Sequence, residues 1–99
     1  MLKSIAPKLR LLLKIAMLQF DDNGWDDYLF WQKTDKNKLK RINDLIKECR
    51  RTPFEGRGKP EPLKGNLSGF WSRRIDDEHR LVYSFNNDTL TIIACRYHY

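Results

Sequence analysis

Residues 79–99, HRLVYSFNNDTLTIIACRYHY, carry the pattern that decides the fold. Over 79–85 the side chains alternate. Leu81, Tyr83 and Phe85 take one side and Arg80, Val82 and Ser84 the other, the two-residue period of a strand. Asn86, Asn87 and Asp88 then suit a hairpin turn, because Asn and Asp tolerate the left-handed backbone that tight hairpins need. Residues 89–98 follow as a second strand, apolar on both faces and so expected at the centre of a sheet. One step back, residues 70–75 read as a third strand, joined through Asp76, Asp77 and Glu78 as a solvated polar turn. The end of the chain is therefore a three-stranded antiparallel meander.

Toward the N-terminus the period changes. Residues 17–20 are short and suit an edge strand. Asp21, Asp22 and Asn23 offer N-cap oxygens to a helix whose Trp25, Tyr28 and Leu29 recur on one face. Thr34 and Asp35 can cap a second helix with a clear apolar stripe: Leu39, Ile42, Leu45, Ile46 and Cys49. Pro53 ends it. Residues 52–69, TPFEGRGKPEPLKGNLSG, hold three prolines and four glycines and read as a long structured loop, a kind that is usually functional in a compact domain. The predicted architecture is α+β: a short N-terminal strand and a C-terminal meander in an antiparallel sheet, with a two-helix hairpin on one face.

The chain has 99 residues, 40% of them hydrophobic and 12% aromatic, enough for one small core. No apolar run is long enough to span a membrane. Net charge is +6 from 19 basic and 13 acidic residues. Lys3, Lys8, Arg10 and Lys14 stand in residues 1–16 without an acidic residue, so residues 17–99 carry only +2. Residues 1–16 read as a basic amphipathic extension and residues 17–99 as the functional domain. Lys14 interrupts the apolar stretch that a secretory signal would need. Cys49 and Cys95 have no zinc-type spacing and sit in apolar patterns. The expectation is two buried thiols in a cytoplasmic protein, with a disulfide between them as the alternative.

Nucleophile elbows, phosphate-binding glycine loops and metal-ligand clusters are absent from the sequence. What remains is a set of isolated polar groups. Glu61 and Lys64 lie in the long loop, Arg73 and Arg74 on the strand after it, Arg80 on the next, and Arg96 and His98 on the last. Transfer of a phosphodiester by a 2′-hydroxyl needs a base, a cation for the charge on phosphorus and an acid for the leaving oxygen. A glutamate, an arginine and a histidine can supply these without a metal. Pattern alone leaves the alternatives open: a surface ion pair for Glu61, a solvated strand face for Arg80, and an ordinary terminal histidine for His98.

The block RTPFEGRGKPEPLKGNLSGFWSRRIDDEHRLVYSF, with ACRYHY at the end, resembles the YoeB toxins of bacterial toxin–antitoxin systems, within the RelE-like group. WDDYLFWQKTDK and RINDLIKECRRTPFEG extend the likeness through both helices, so that it covers residues 17–99. The resemblance implies a RelE-like α+β fold and cleavage of messenger RNA in the ribosomal A site, with no metal or other cofactor. It puts the general base on Glu61, the phosphate-binding arginine on Arg80 and the general acid on His98, with Tyr99 alongside. For stacking an unpaired base the candidates are Tyr99 and Phe70, and Tyr99 is preferred because it adjoins the proposed acid. Lys64 and Arg74 fall on the family's basic RNA-facing surface. The implied partners are the ribosome with its message, a YefM-like antitoxin and operator DNA reached only through the antitoxin complex; homodimers also occur in the family. A protein of the same fold that binds RNA or antitoxin without cleaving is the competing expectation. Residues 1–16 depart from the family pattern.

Overall fold

The computed structural model of the chain describes residues 5–97, with side chains from Leu9 onward. Helix α1 spans Ile5–Leu12, strand β1 Met17–Phe20, helix α2 Asp22–Thr34 and helix α3 Lys36–Cys49. Strand β2 is Glu61–Pro62, followed by a 3-10 turn at Gly65–Leu67. Strands β3 (Trp71–Arg74), β4 (Arg80–Asn86) and β5 (Thr89–Ala94) complete a five-stranded sheet in the order β1-β5-β4-β3-β2. No described helix is long and apolar enough to cross a membrane.

The α+β class and the helical hairpin agree with the sequence expectation. Asp21 caps α2 by accepting a hydrogen bond from the Gly24 amide at 2.7 Å. Asp35 ends α2 and starts α3: its amide donates to Trp31 O, and its carboxylate accepts from the Lys38 amide. On α3, Ile42, Leu45, Ile46 and Cys49 are buried as their spacing predicts, and they meet Leu81, Tyr83, Leu90 and Ile92 in one core. Each such aliphatic side chain contributes about 1.5–3 kcal/mol by leaving water. On α2 the buried positions are Gly24 and Trp31, whereas Trp25 of the expected stripe is 47% exposed. Trp25 instead stacks on Tyr28 at the surface beside Phe20.

Three details of the sheet differ from the expectation. First, the sheet is mixed, because β1 pairs with β5 in parallel, Met17 opposite Thr89. Two helices and most of the sheet lie between these strands in sequence, which leaves room for the crossover that parallel pairing requires. Second, the 52–69 loop supplies its own edge strand, β2, antiparallel to β3. Third, the last strand ends at Ala94 rather than running to residue 98.

The early end of β5 has a local cause. Its pairing with β4 slips by one residue between Val82–Ala94 and Tyr83–Ile92, leaving Ile93 as the extra residue of a bulge. The slip frees backbone groups, and α2 takes them up. Asn23 Nδ2 donates to Ile93 O at 2.9 Å, and Asp27 Oδ2 accepts from the Cys95 amide at 3.0 Å. The bulge also reverses the alternation, so Cys95 is fully buried. Parity counted along an uninterrupted strand therefore does not describe residues 93–97.

Candidate functional site

The two faces of the meander separate by register. Directly opposed residues share a face. Trp71 and Arg73 lie opposite Tyr83 and Leu81, on the face turned to the helices. The other face carries Glu61, opposite Ser72, which is opposite Val82, and, one step along, Arg74 opposite Arg80. Ser72 and Val82 are buried and form a floor. Glu61 and Arg74 are exposed beside it, and Arg80 is half-buried. Glu61 and Lys64 border one shallow groove with Leu63 and Leu67. The fold thus brings together Glu61, Arg74 and Arg80 on one sheet face, with Lys64 at its edge. His98 and Tyr99 lie outside the described residues.

The turn before β4 fixes the Arg80 head group. Nη1 of Arg80 donates to Asp76 O at 2.7 Å and to His79 O at 3.1 Å. Asp76, expected as a solvated turn residue, organises that turn instead. Its carboxylate accepts from the Glu78 and His79 amides and pairs with Lys38 of α3. Partial burial works against its charge, but the Lys38 hydrogen bond and the two amides outweigh it and hold the carboxyl at about 2.

Arg73, next to Arg74, has the opposite fate. It is fully buried and ties down the loop that leads to β2. Its guanidinium donates to Glu48 Oε2 at 2.9 Å, to the carbonyls of Thr52, Glu55 and Arg57, and to Tyr83 Oη at 3.3 Å. Tyr83 Oη in turn donates to Pro53 O at 2.6 Å. Arg73 is thus a structural cation, and Arg74 is the one turned to solvent.

The segment after β5 is docked on α2. Trp31 Nε1 donates to Cys95 O at 2.7 Å, and the Arg96 guanidinium lies 3.6 Å from the centroid of the Phe30 ring. The Tyr97 amide donates to His79 Nδ1 at 2.6 Å, and the Arg80 amide donates to Tyr97 O at 2.9 Å. No pattern in the sequence marks Asp27, Trp31 or His79 as partners of this segment. A lone histidine between an acidic turn and a strand was the one signal available. Both cysteines are free and buried. Burial pushes the Cys95 thiol up to about 12 and raises Cys49 as well, so neither is suited to thiolate chemistry.

Taken together, these features define a small α+β protein whose sheet face opposite the α2–α3 core carries cations beside a carboxylate, a surface suited to a phosphate-bearing polymer. The family model for the YoeB-like toxin of bacterial type II toxin–antitoxin systems matches residues 20–99, and the chain belongs to that family. The toxin YoeB of Escherichia coli K12 is 68% identical over 82 residues, covering 83% of this chain and 98% of the relative. Among solved structures, the YoeB/ParE toxin from Agrobacterium tumefaciens is similar with a TM-score of 0.82 at 53% identity, over 84% of this chain and 99% of that one. YoeB of Staphylococcus aureus, solved as a dimer and in a heterotetrameric complex with YefM, is similar with a TM-score of 0.77 at 45% identity, over 85% and 98% of the two chains.

Proposed function

We propose that this toxin is a metal-independent endoribonuclease that cleaves messenger RNA in the ribosomal A site and so stops translation. The observation that carries the reading is the register that gathers Glu61, Arg74 and Arg80 on one sheet face, in a chain of this family. Glu61 takes the proton of a ribose 2′-hydroxyl. The 2′-oxygen attacks phosphorus, and Arg80 steadies the added negative charge with its planar fork. His98 gives a proton to the departing 5′-oxygen as the P–O5′ bond breaks. The message is left with a 2′,3′-cyclic phosphate and the downstream fragment with a 5′-hydroxyl. Lys64 and Arg74 hold the flanking phosphates, and an unpaired base stacks on Tyr99. No step calls for a metal or another cofactor.

The ribosome supplies what this small surface lacks. It holds the message in the in-line geometry that a lone glutamate and arginine cannot impose on free RNA. In the cell the toxin is held by a YefM-like antitoxin, as the Staphylococcus aureus relative is in its complex, and operator DNA is reached only through that complex. Homodimers are expected on the same grounds. Action on ribosomes makes the cytoplasm its site of work. Residues 1–16 are an accessory extension. In it Arg10 reaches Asp88 at 2.6 Å, while Leu9, Leu11 and Leu12 stay exposed.

A reconstituted translation system tests the reading. Message should be cut on ribosomes and stay intact off them, and deletion of His98 and Tyr99 should abolish both cutting and growth arrest. Growth arrest that survives the deletion would favour a toxin that only binds.

A further inference from the structure

We propose that His79 is a positioning residue for the end of the chain, holding the backbone of Tyr97 through the unprotonated Nδ1 of a neutral ring. Its role in the reaction rests on the function proposed above. The clamp itself rests on geometry alone.

Tyr97 has a φ of 60°, in the left-handed region that side-chain-bearing residues seldom adopt. Such a conformation persists only where its surroundings over-determine it. Here both of its backbone polar groups are held by adjacent residues at the start of β4. The Tyr97 amide donates to His79 Nδ1 at 2.6 Å, and Tyr97 O accepts from the Arg80 amide at 2.9 Å. The first bond selects the tautomer: an amide can donate only to a ring nitrogen without a proton, so the proton sits on Nε2. Nε2 lies 3.4 Å from Glu78 Oε1, a carboxylate in electrostatic reach of that edge of the ring.

The ring is itself buried against two aromatic side chains. It is 6% exposed and meets Trp31 edge-on with centroids 4.7 Å apart. The Tyr97 ring lies 5.4 Å from it. The backbone of His79 is fixed as well: Asp76 Oδ1 accepts from its amide at 2.7 Å, and the Ile75 amide donates to its carbonyl at 3.0 Å. Trp31 completes the arrangement by donating to Cys95 O, two residues before Tyr97. The peptide that leads from Tyr97 to His98 therefore starts from a point fixed relative to Arg80. One stretch of chain, His79–Arg80, carries both the phosphate-binding arginine and the clamp on the residue before the proposed acid. An ordinary core histidine would need only to fill space beside Trp31. This one spends its buried nitrogen on a single strained backbone amide.

The test compares wild type, His79→Phe and His79→Asn. Phe keeps the ring against Trp31 but has no acceptor. Asn loses the ring but puts Oδ1 close to where Nδ1 stood. In wild type, nitrogen NMR should find the proton on Nε2, and the Tyr97 amide should exchange slowly. His79→Phe should stay folded, speed Tyr97 exchange at least about tenfold, and lower kcat for ribosome-bound message about ten- to a hundredfold with KM little changed, the loss expected of a displaced reacting group. His79→Asn should recover most of both. A proton on Nδ1, a His79→Phe protein with normal exchange or normal kcat, or an Asn variant no better than Phe would each overturn the proposal. Wild-type protein that failed to cut any ribosome-bound message would overturn the function instead, and the exchange comparison would still decide for or against the clamp.

Discussion

Arg74 and Arg80 stand directly opposite one another on neighbouring antiparallel strands, on the face away from the helices. Like charges in that position repel. An anion bound beside the pair would offset that repulsion. Sulfate at matched ionic strength should therefore stabilise wild type more than chloride does. A gain of about 1 kcal/mol would raise the melting temperature by about 4–8 °C for a domain of this size. Arg80→Gln should lose most of that gain. An equal response in both proteins would remove Arg80 from the anion site.

The Asp76 carboxyl makes a prediction about pH. Its folded pKa, about 2, lies below the ordinary value of 3.8. A depressed acid stabilises the fold above the unfolded pKa, and that stabilisation is lost as pH falls through 3.8 toward 2. The full shift corresponds to about 2 kcal/mol, and solvent screening at this partly exposed pair brings it nearer to about 1 kcal/mol. Asp76→Asn should be less stable than wild type at pH 7, and the gap should close by pH 2–3. Urea unfolding at both pH values measures it. A gap that did not depend on pH would deny Asp76 this role.

Arg73 should matter to stability more than any exposed arginine. Its buried guanidinium serves Glu48, Tyr83 and three loop carbonyls at once. Arg73→Met leaves those acceptors unpaired and should cost about 3–5 kcal/mol. Arg73→Lys should rescue little, since an ammonium cannot reproduce the fork. Arg74→Met, one residue along and exposed, should change stability by less than about 0.5 kcal/mol. Equilibrium unfolding of the three variants separates the two arginines.

Gly24 lets α2 approach β5. A Cβ built there would collide with Ile92 O, a backbone atom that cannot turn aside. Gly24→Ala should therefore destabilise by about 1–3 kcal/mol despite its better helix propensity. A more stable Ala variant in thermal unfolding would mean that the helix and strand can separate at no cost.

Much of this was legible in the sequence because the signals were local. The α3 stripe predicted Ile42, Leu45, Ile46 and Cys49 as core, and Asp35 announced itself as a cap. The 86–88 turn formed with Asn87 and Asp88 at φ 51° and 59°, the backbone those residue types tolerate. Alternation on β3 and β4 put Arg80 on the face away from Leu81. Other features depended on distant parts of the chain. The parallel pairing of β1 with β5 joins residues about 70 positions apart. The bulge at Ile93 is stabilised by Asn23 and Asp27 of α2, which no pattern in β5 can report. Arg73 and Arg74 look equivalent in sequence, and strand parity alone separates a buried structural cation from a solvent-facing one. Glu61 joined the arginines only because the 52–69 loop contributes an edge strand, held in part by Arg73.

In the proposed reaction Glu61 removes the 2′-proton of a ribosome-bound message. The most direct measurement is the single-turnover rate of cutting a ribosome-bound message by wild type and by Glu61→Gln, which keeps the shape of the side chain and removes the base. Glu61→Gln should cut about 10²–10⁴ more slowly while still binding the ribosome. Cleavage by Glu61→Gln at the wild-type rate would contradict it.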